Sequence, residues 1–452
     1  MNKERRSFVK KTALATGGII LGAATLSARS YRKIIGANDR VRVGIAGFSN
    51  RAKGALIPAF NGHSKALNFE IVGVSDIWNR RRDEGAAFIK RVTGNTIDLW
   101  RNHEEMYDKN TIDAVLISTA DFQHALHTVQ AASAKKDVYC EKPFAETMDD
   151  ARIGMKAVKE SGIVFQIGSQ RRSGSNYHVA ADYVKSGNFG DIVMVEMTWN
   201  VNQPGRWRLP KLTSEIRESD TDWKRYQMNR PPAAWDPRKY LEYRLFWPYS
   251  SGIPGQWMSH QIDTVHWFSG YNHPRSVAAN GGIYLWKDGR KNFDTMSAVF
   301  DYGPLDDSST GFQVTYSSRF TNSAGGVKEI YYSNGGELNL ATNKVTDNGG
   351  LAKRHARAMG MQANKLKGFD LADNAPKVVT SANTGVDNMT SAHMLNWMEC
   401  VRSRKTTNGP IEAGYNHSIA NIMTTAALRT GLKATFDEKS QNVLAGGKIF
   451  KY

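Results

Sequence analysis

Short apolar, β-branched runs alternate with helical segments over the first third of the chain, and no other feature restricts the fold as strongly. The runs read VRVGIAG from Val41, FEIVGVSD from Phe69, DAVLIST from Asp113, DVYCE from Asp137 and IVFQIG from Ile163. Strands that alternate with helices form a parallel sheet with helices on both faces. Ligands bind such sheets at the carboxyl ends of the strands. We therefore predict an α/β unit over residues 37–168, with a ligand site at that edge.

The turn after the first run has the surroundings of a phosphate-binding loop, because strand, turn and helical pattern follow one another. Gly47 stands at the first glycine of the pattern G-x-G-x-x-G, whereas Ser49 and Ala52 replace the second and the third. A serine hydroxyl can itself donate to a phosphate oxygen, so the loop is still compatible with phosphate binding. The pattern predicts a dinucleotide-binding Rossmann domain with contacts at Gly44, Gly47, Ser49, Asn50 and Arg51.

The second run indicates which dinucleotide binds. It ends in Asp76, 24 residues after Ala52. A carboxylate at this place accepts both hydroxyls of an adenosine ribose and repels a 2′-phosphate, which favours NAD. The arginines at 80–82 leave NADP open, and a strand-end turn residue is the alternative interpretation of Asp76.

Polar residues also follow the third and fourth runs, at the edge where ligands are expected. Further cofactor contacts are predicted at Thr119, Asp121 and His124 after one strand, and at Glu141 and Lys142 after the next. A lysine at a strand end in a partly dry cleft can have its pKa lowered toward neutrality. It can then take the proton of an alcohol. A solvated lysine is the alternative.

After Gly168 the pattern changes to long alternating segments without helices between them. They cover residues 191–201, 275–286, 294–303, 311–320 and 328–342. A period of two predicts a sheet with one covered face, so we expect a second, α+β domain over 169–390. Residues 203–250 are rich in Trp, Arg, Pro and Tyr, which suits either sugar rings or a long packed loop. Helices near 391–404 and 416–432 are expected to pack back on the first half, so that 391–452 forms a C-terminal helical segment.

Six stretches, taken in order, resemble the Gfo/Idh/MocA oxidoreductases. They are ANDRVRVG from Ala37, ADFQH from Ala120, VYCEKP from Val138, GSQRRS from Gly168, PGQWMSHQIDTVHWF from Pro254 and NWMECVRSR from Asn396. The resemblance implies a Rossmann domain followed by a domain with an open, mostly antiparallel sheet that often forms oligomers. It implies a nicotinamide cofactor, a sugar, polyol or glycoside substrate, a cofactor contact at Gln170, and Lys142 beside the reacting hydroxyl.

The histidine-rich stretch of that series contains His260 and His266, which are six residues apart. On a helix they point roughly 120° apart, so the spacing argues against a metal pair, and we predict no metal site. The family pattern Asp-x-Gly-x-His-x-x-Asp falls on residues 256–263, where Gln256 replaces the first Asp. The resemblance implies that His260 is a general acid/base with Lys142, and we interpret Asp263 as an orienting group for it. A core histidine is the alternative for His260, and His266 is expected to pack.

The first 36 residues predict an export leader. Arg5-Arg6-Ser7-Phe8-Val9-Lys10 resembles the twin-arginine signature, a mildly apolar stretch follows over 12–28, and no cysteine lies nearby. An ordinary secretory signal is the alternative. The twin-arginine route carries folded proteins, so we expect a periplasmic protein that is exported with its cofactor already bound.

The formal charge of +17 does not by itself indicate a nucleic-acid partner. The leader holds eight Lys and Arg residues and one Glu, a net +7, and the remaining basic residues are scattered. No recognisable nucleic-acid motif accompanies them, so we expect no such partner. No later run of 18 or more apolar residues predicts a membrane span. Cys140 and Cys400 are too few for a disulfide framework.

Three functions remain open. The first is an NAD-dependent oxidoreductase of sugars, polyols or glycosides. The second is a glycoside hydrolase in which a transient oxidation at C3 permits elimination and the hydride then returns. The third is a non-catalytic sugar-binding relative.

Overall fold

The computed structural model describes residues 39–108, 111–372 and 386–451. The predicted leader over residues 1–36 lies outside this range. The strands are β1 Val41–Ala46, β2 Phe69–Ser75, β3 Asp98–Trp100, β4 Ala114–Ile117, β5 Asp137–Cys140, β6 Phe165–Ile167, β7 Met194–Asn200, β8 Ser276–Gly282, β9 Thr295–Tyr302, β10 Phe312–Arg319, β11 Val327–Ser333, β12 Gly336–Asn339, β13 Lys344–Thr346, β14 Phe369–Asp370, β15 Ala434–Asp437, β16 Asn442–Ala445 and β17 Lys448–Ile449.

The α-helices are α1 Ile57–Leu67, α2 Asn79–Thr93, α3 His103–Asp108, α4 His124–Ser133, α5 Met148–Ser161, α6 Ser175–Lys185, α7 Pro210–Glu215, α8 Trp223–Gln227, α9 Pro237–Leu241, α10 Ser259–Ser269, α11 Lys353–Ala358, α12 Asn388–Ser403 and α13 Ile411–Thr430. Two π-helical turns, Ala52–Leu56 and Pro254–Met258, lead into α1 and α10.

The first six strands form one parallel sheet in the order β3-β2-β1-β4-β5-β6. Its central strands are buried on both faces, which explains why they read as unbroken apolar runs. The chain leaves β1 at Gly47, whose φ is +86°. A Cβ there would lie 2.9 Å from Thr119 Cγ2 and 3.1 Å from the Ser118 carbonyl oxygen. Glycine is therefore required for the loop to turn beside the end of β4.

The other eleven strands form a second sheet, in the order β14-β13-β12-β11-β7-β10-β9-β8-β15-β16-β17. Neighbouring strands are antiparallel except β7 and β10. Buried and open residues alternate along β9 and β10, as the period of two predicts. The predicted fold class, a Rossmann domain followed by a domain with a mostly antiparallel sheet, is confirmed.

The C-terminal segment serves both units. Helix α12 packs on the first one, where Trp397 and Met398 join the cluster of Phe60 and Phe69. Helix α13 is buried between α5 of the first unit and β8 of the second. Residues 434–449 form β15–β17 at the edge of the second sheet, so the expectation of helices alone over 391–452 is wrong. Strands β15, β16 and β17 pair with one another locally, whereas the pairing of β15 with β8 joins residues more than 150 positions apart, which local patterns do not reveal.

Residues 203–250, called the strap below, cross from the second unit to the first. Their aromatic side chains form a cluster around Phe122, with Tyr226 and Tyr249 each 5.4 Å from it between ring centroids. The side-chain amide of Gln123 donates to the Tyr226 carbonyl oxygen at 2.7 Å. A fully buried ion pair joins Arg230 and Asp150 at 3.0 Å. None of the helices within the described ranges has the length and apolar character needed to cross a bilayer.

Candidate active site

A cavity of about 660 Å³ lies at the carboxyl ends of the parallel strands, enclosed by the strap and by the π-helical turn before α10. This is a common volume for a cofactor or small-molecule site. Most of the site residues predicted from the sequence line it. They are Gly47, Ser49, Asn50, Arg51, Asp76, Thr119, His124, Glu141, Lys142, Gln170 and His260.

Three predicted site residues lie away from the cavity. Gly44 lies inside β1, where a Cβ would be 2.5 Å from Met106 Sδ, so packing rather than ligand binding requires glycine there. Asp121 is fully buried behind the cavity wall. Asp263 is also fully buried and forms a bidentate ion pair with Arg172, at 2.7 and 2.9 Å. It anchors α10 to the turn at 170–173 and does not orient a group in the cavity.

The phosphate-loop side of the cavity is built around Asp76. Its carboxylate accepts hydrogen bonds from the amides of Phe48 and Trp78, both at 2.9 Å, and so ties the loop after β1 to the end of β2. Burial raises the pKa of Asp76, and the two amide donors oppose that rise. Arg51 extends from the loop to Glu141 at 2.9 Å. Burial acts to raise the pKa of Glu141, but the charge of Arg51 prevails and lowers it.

Several buried polar atoms of cavity-lining residues have no hydrogen-bond partner within the part of the chain that the structure describes, and two of them follow strand β4. These two are Thr119 Oγ1 and His124 Nε2, and both are buried. His124 Nδ1 donates to the Pro143 carbonyl oxygen at 2.7 Å, which leaves Nε2 as an acceptor. Burial lowers the pKa of His124, so the ring stays neutral at pH 7. Because buried polar groups are rarely left unpaired, these residues fit a polar ligand such as the ribose and amide of a nicotinamide nucleotide.

Among the residues that line the cavity, Lys142 is the titratable group whose pKa best matches proton transfer. Its Nζ donates to the backbone oxygen of Gln256 at 2.5 Å. Burial lowers its pKa from 10.5 to about 7, against the opposing charges of Glu141 and Asp121. A group with this pKa is present in both protonation states at neutral pH, which suits a general acid or base.

Gln256 connects the lysine to a buried polar network. Its side-chain oxygen accepts from Arg244 Nε at 2.9 Å, and its side-chain nitrogen donates to Asp121 Oδ2 at 2.5 Å. Ser250 Oγ donates to the same carboxylate oxygen at 2.6 Å. Local patterns do not reveal this network, because its members come from β4, the strap and the turn before α10.

His260 lies on the other side of the cavity, against the indole of Trp199 at 5.8 Å between ring centroids. Neither ring nitrogen has a hydrogen bond to the described residues. Burial and the charge of Lys142 hold the pKa of His260 well below 6.5. The expectation that His260 titrates near working pH is therefore wrong, although a neutral imidazole can still donate or accept a hydrogen bond.

His266 packs as predicted, since its Nε2 lies 2.9 Å from the Tyr302 hydroxyl, away from the cavity. No group of three or more His, Cys, Asp or Glu side chains in the described ranges could hold a metal ion. Cys140 and Cys400 are buried free thiols.

Several cavity residues were missed by sequence reasoning. Arg206, Trp207 and Arg244 come from the strap, and Trp199 and Trp257 form a stacked pair beside His260. The richness of the strap in Trp and Arg was the available signal, but it did not distinguish packed residues from lining ones.

The chain is similar to several known proteins. Residues 41–169 match the GFO_IDH_MocA model, described as an oxidoreductase family with an NAD-binding Rossmann fold. The chain is 30% identical to 1,5-anhydro-D-fructose reductase of Ensifer adhaerens over 139 residues, which are 29% of this chain and 42% of that protein. It is 25% identical to inositol 2-dehydrogenase of Salmonella typhimurium over 213 residues, 47% of this chain and 60% of that protein. The chain thus matches less than two thirds of the length of either relative.

The similarity of fold extends further than the similarity of sequence. The structure of scyllo-inositol dehydrogenase from Lactobacillus casei, solved with NAD(H) and scyllo-inositol, aligns over 88% of this chain and 99% of that one. The TM-score is 0.61 and the identity is 17%. The predicted NAD-binding Rossmann domain is confirmed by the family match, which also agrees with the predicted class of NAD(P)-dependent oxidoreductase.

Proposed function

We propose that this chain is a Gfo/Idh/MocA oxidoreductase that oxidises a sugar, polyol or glycoside with NAD, and that Lys142 takes the hydroxyl proton. The observation that carries the proposal is the position of Lys142. It combines a pKa of about 7 with a place in the cavity that also contains the phosphate-loop residues. Bound NAD supplies a hydride acceptor at such a site.

The residues of this chain then have separable tasks. The loop from Gly47 to Arg51 and the Asp76 carboxylate hold the nucleotide, with Thr119 and His124 supplying a hydroxyl and an acceptor nitrogen. Lys142 Nζ removes the proton of the reacting hydroxyl in the oxidative direction and returns it in the reductive one. His260 contributes a neutral imidazole opposite the lysine, available to hydrogen-bond a sugar hydroxyl.

Nucleotide analysis and turnover test this proposal together. Protein purified without added nucleotide is denatured and its released nucleotides are identified by mass spectrometry. A panel of sugars, polyols and aryl glycosides is followed at the NADH band and for phenol release. We expect NADH formation that is lost in Lys142→Arg and retained in Lys156→Arg, a matched control at a lysine whose side chain is 72% exposed.

The other outcomes assign the alternatives. Phenol release without accumulation of NADH indicates the hydrolase that uses transient oxidation. Sugar binding without either signal indicates a non-catalytic relative. Failure to bind NAD or NADP contradicts the proposal.

We also propose that the protein is exported by the twin-arginine route with its cofactor bound. Support comes from the Arg5-Arg6 motif and from the strap, which is fixed over the cavity by the Arg230–Asp150 ion pair and by Gln123. A cavity that the strap partly covers slows the exchange of a nucleotide that the periplasm does not supply. Replacement of both arginines by lysine should leave the protein in the cytoplasm, as fractionation and immunoblotting would show; unaffected export would argue for an ordinary secretory signal.

The remaining proposal concerns assembly. The outer face of the second sheet presents Val299, with 42% of its surface exposed, between Ser297 and Asp301 of β9. We propose that this face joins copies of the chain into a homo-oligomer. Light scattering of the wild type and of Val299→Lys measures the state, and a wild-type monomer would contradict the idea.

A further inference from the structure

The arginines around the cavity differ in how their charges are balanced. Seven arginines line it, and five of them have a carboxylate within about 3 Å. The five pairs are Arg51 with Glu141, Arg81 with Glu84, Arg171 with Glu329, Arg208 with Glu242, and Arg225 with Glu104. Arg206 and Arg244 are the exceptions.

Arg206 has no carboxylate partner among the described residues. Its Nη1 donates to the neutral side chain of Gln203 at 2.8 Å, and its Nε and Nη2 donate to none of the described residues. The guanidinium lies over the indole of Trp257, 5.7 Å from the ring centroid. Burial, together with the charge of Arg244, lowers the pKa of Arg206 to about 10. A partly buried cation whose donors are unused is costly unless a ligand compensates it.

Arg244 is only partly compensated. Its Nε donates to Gln256, and the nearest carboxylate, that of Asp121, lies 3.8 Å away behind the wall. Its two Nη nitrogens have no hydrogen bond to the described residues. Two guanidinium groups with open donors therefore stand at the Gln256 and Trp257 side of the cavity, where the charge of Arg244 acts on Lys142.

We propose that Arg206 and Arg244 bind an anionic group on the substrate, and that the preferred substrate is an acidic sugar such as a uronic acid or its glycoside. Arginine forks match carboxylates with paired, charge-assisted hydrogen bonds. The indole beneath Arg206 is itself buried, stacked on Trp199, and it supports the guanidinium at the cavity wall. The identity of the sugar rests on the function proposed above, whereas the anion site rests only on the two arginines.

The test compares an acidic sugar with its neutral counterpart in the NAD-loaded protein. An aryl glucuronide and the matching aryl glucoside serve as substrates, with glucose 6-phosphate as a phosphate-bearing probe. We expect kcat/KM for the glucuronide to exceed that for the glucoside. Arg206→Gln should reduce this ratio roughly 10- to 100-fold, the usual effect of losing a charged hydrogen bond. Arg206→Lys should restore part of it.

Arg217→Gln is the matched control, because this strap arginine has a side chain that is 81% exposed and does not line the cavity. It should leave the ratio unchanged. Equal or better use of the glucoside by the wild type, or an unchanged ratio in Arg206→Gln, overturns the proposal. If the protein prefers the phosphate-bearing sugar to the glucuronide, a uronic acid is not the preferred substrate, and the two arginines form an anion site for phosphate. A fall in NAD affinity in Arg206→Gln that matches the fall in ratio assigns the arginine to the cofactor instead.

A readout without turnover separates this proposal from the proposed function. Trp257 lies under Arg206, so binding of glucuronate should change tryptophan fluorescence, and the affinity should fall in Arg206→Gln and not in Arg217→Gln. Such binding without any turnover contradicts the oxidoreductase and supports the anion site. Turnover of neutral sugars with no binding of glucuronate supports the oxidoreductase and contradicts the anion site.

Discussion

The pH dependence of catalysis should identify Lys142 as the titrating group. With its ordinary pKa of 10.5, roughly one lysine in three thousand is neutral at pH 7, whereas with a pKa of about 7 half of the molecules carry a neutral amine. The direction of the pH dependence follows from the protonation state that the reaction needs. Oxidation needs the neutral amine, so kcat/KM should rise about tenfold per pH unit below pH 7 and level off above it.

The pKa of His260 is held well below 6.5, so titration of the histidine should not change kcat/KM between pH 6 and 9. The assay is initial-rate oxidation of the best sugar at saturating NAD over pH 5.5–9.5. Lys142→Arg keeps the charge but does not deprotonate, so we expect activity to fall by about 10²–10⁴ and the limb to disappear. His260→Gln should lower the plateau and leave the inflection in place. If the inflection near pH 7 persists in Lys142→Arg, or vanishes in His260→Gln, Lys142 is not the titrating group.

Three further substitutions test the rest of the site. Asp76→Asn should weaken NAD binding about 10- to 100-fold and reduce the preference for NAD over NADP. Titration with both nucleotides measures the two affinities, and an unchanged preference contradicts a contact between Asp76 and the ribose. Thr119→Val removes a buried hydroxyl that has no partner within the described ranges, so the melting temperature of the nucleotide-free protein should hold or rise while NAD affinity falls. Asp263→Ala leaves the Arg172 guanidinium without its buried partner and should cost about 3–5 kcal/mol in urea unfolding. Loss of activity without loss of stability would instead indicate that Asp263 acts in the catalytic site.

The parts of the fold that depend on local pattern were predictable from the sequence. The apolar runs that became β1, β2, β4, β5 and β6 lie within a few residues of the expected positions, because strands buried on both faces must be apolar throughout. The rule that ligands bind at the carboxyl ends of these strands placed Thr119, His124, Glu141 and Lys142 on the cavity. Each of these predictions used only a residue's position relative to its own strand.

The parts that depend on distant partners could not be predicted in the same way. Asp121 occupies the end of β4 like its neighbours, yet it turns away from the cavity because Ser250 and Gln256 supply its donors. Asp263 matches a family position, but Arg172 from another element determines what it contacts. The pKa of His260 is likewise set by burial and by Lys142, and not by its own sequence context.

Gln256 shows how distant contacts determine what one residue can do in the cavity. An amide presents both an acceptor and a donor, so it can connect the Arg244 guanidinium, which only donates, to the Asp121 carboxylate, which only accepts. An aspartate at 256 would bring a second negative charge next to Asp121, and like charges at that range disfavour ionisation of both. Besides Glu141, the negative charge near Lys142 is that of Asp121, behind the wall, and both carboxylates partly offset the loss of solvation that lowers the pKa of the lysine. Position 256 therefore contributes no carboxylate to the cavity, and the proton-transfer site that we propose consists of Lys142 with the neutral imidazole of His260 opposite it.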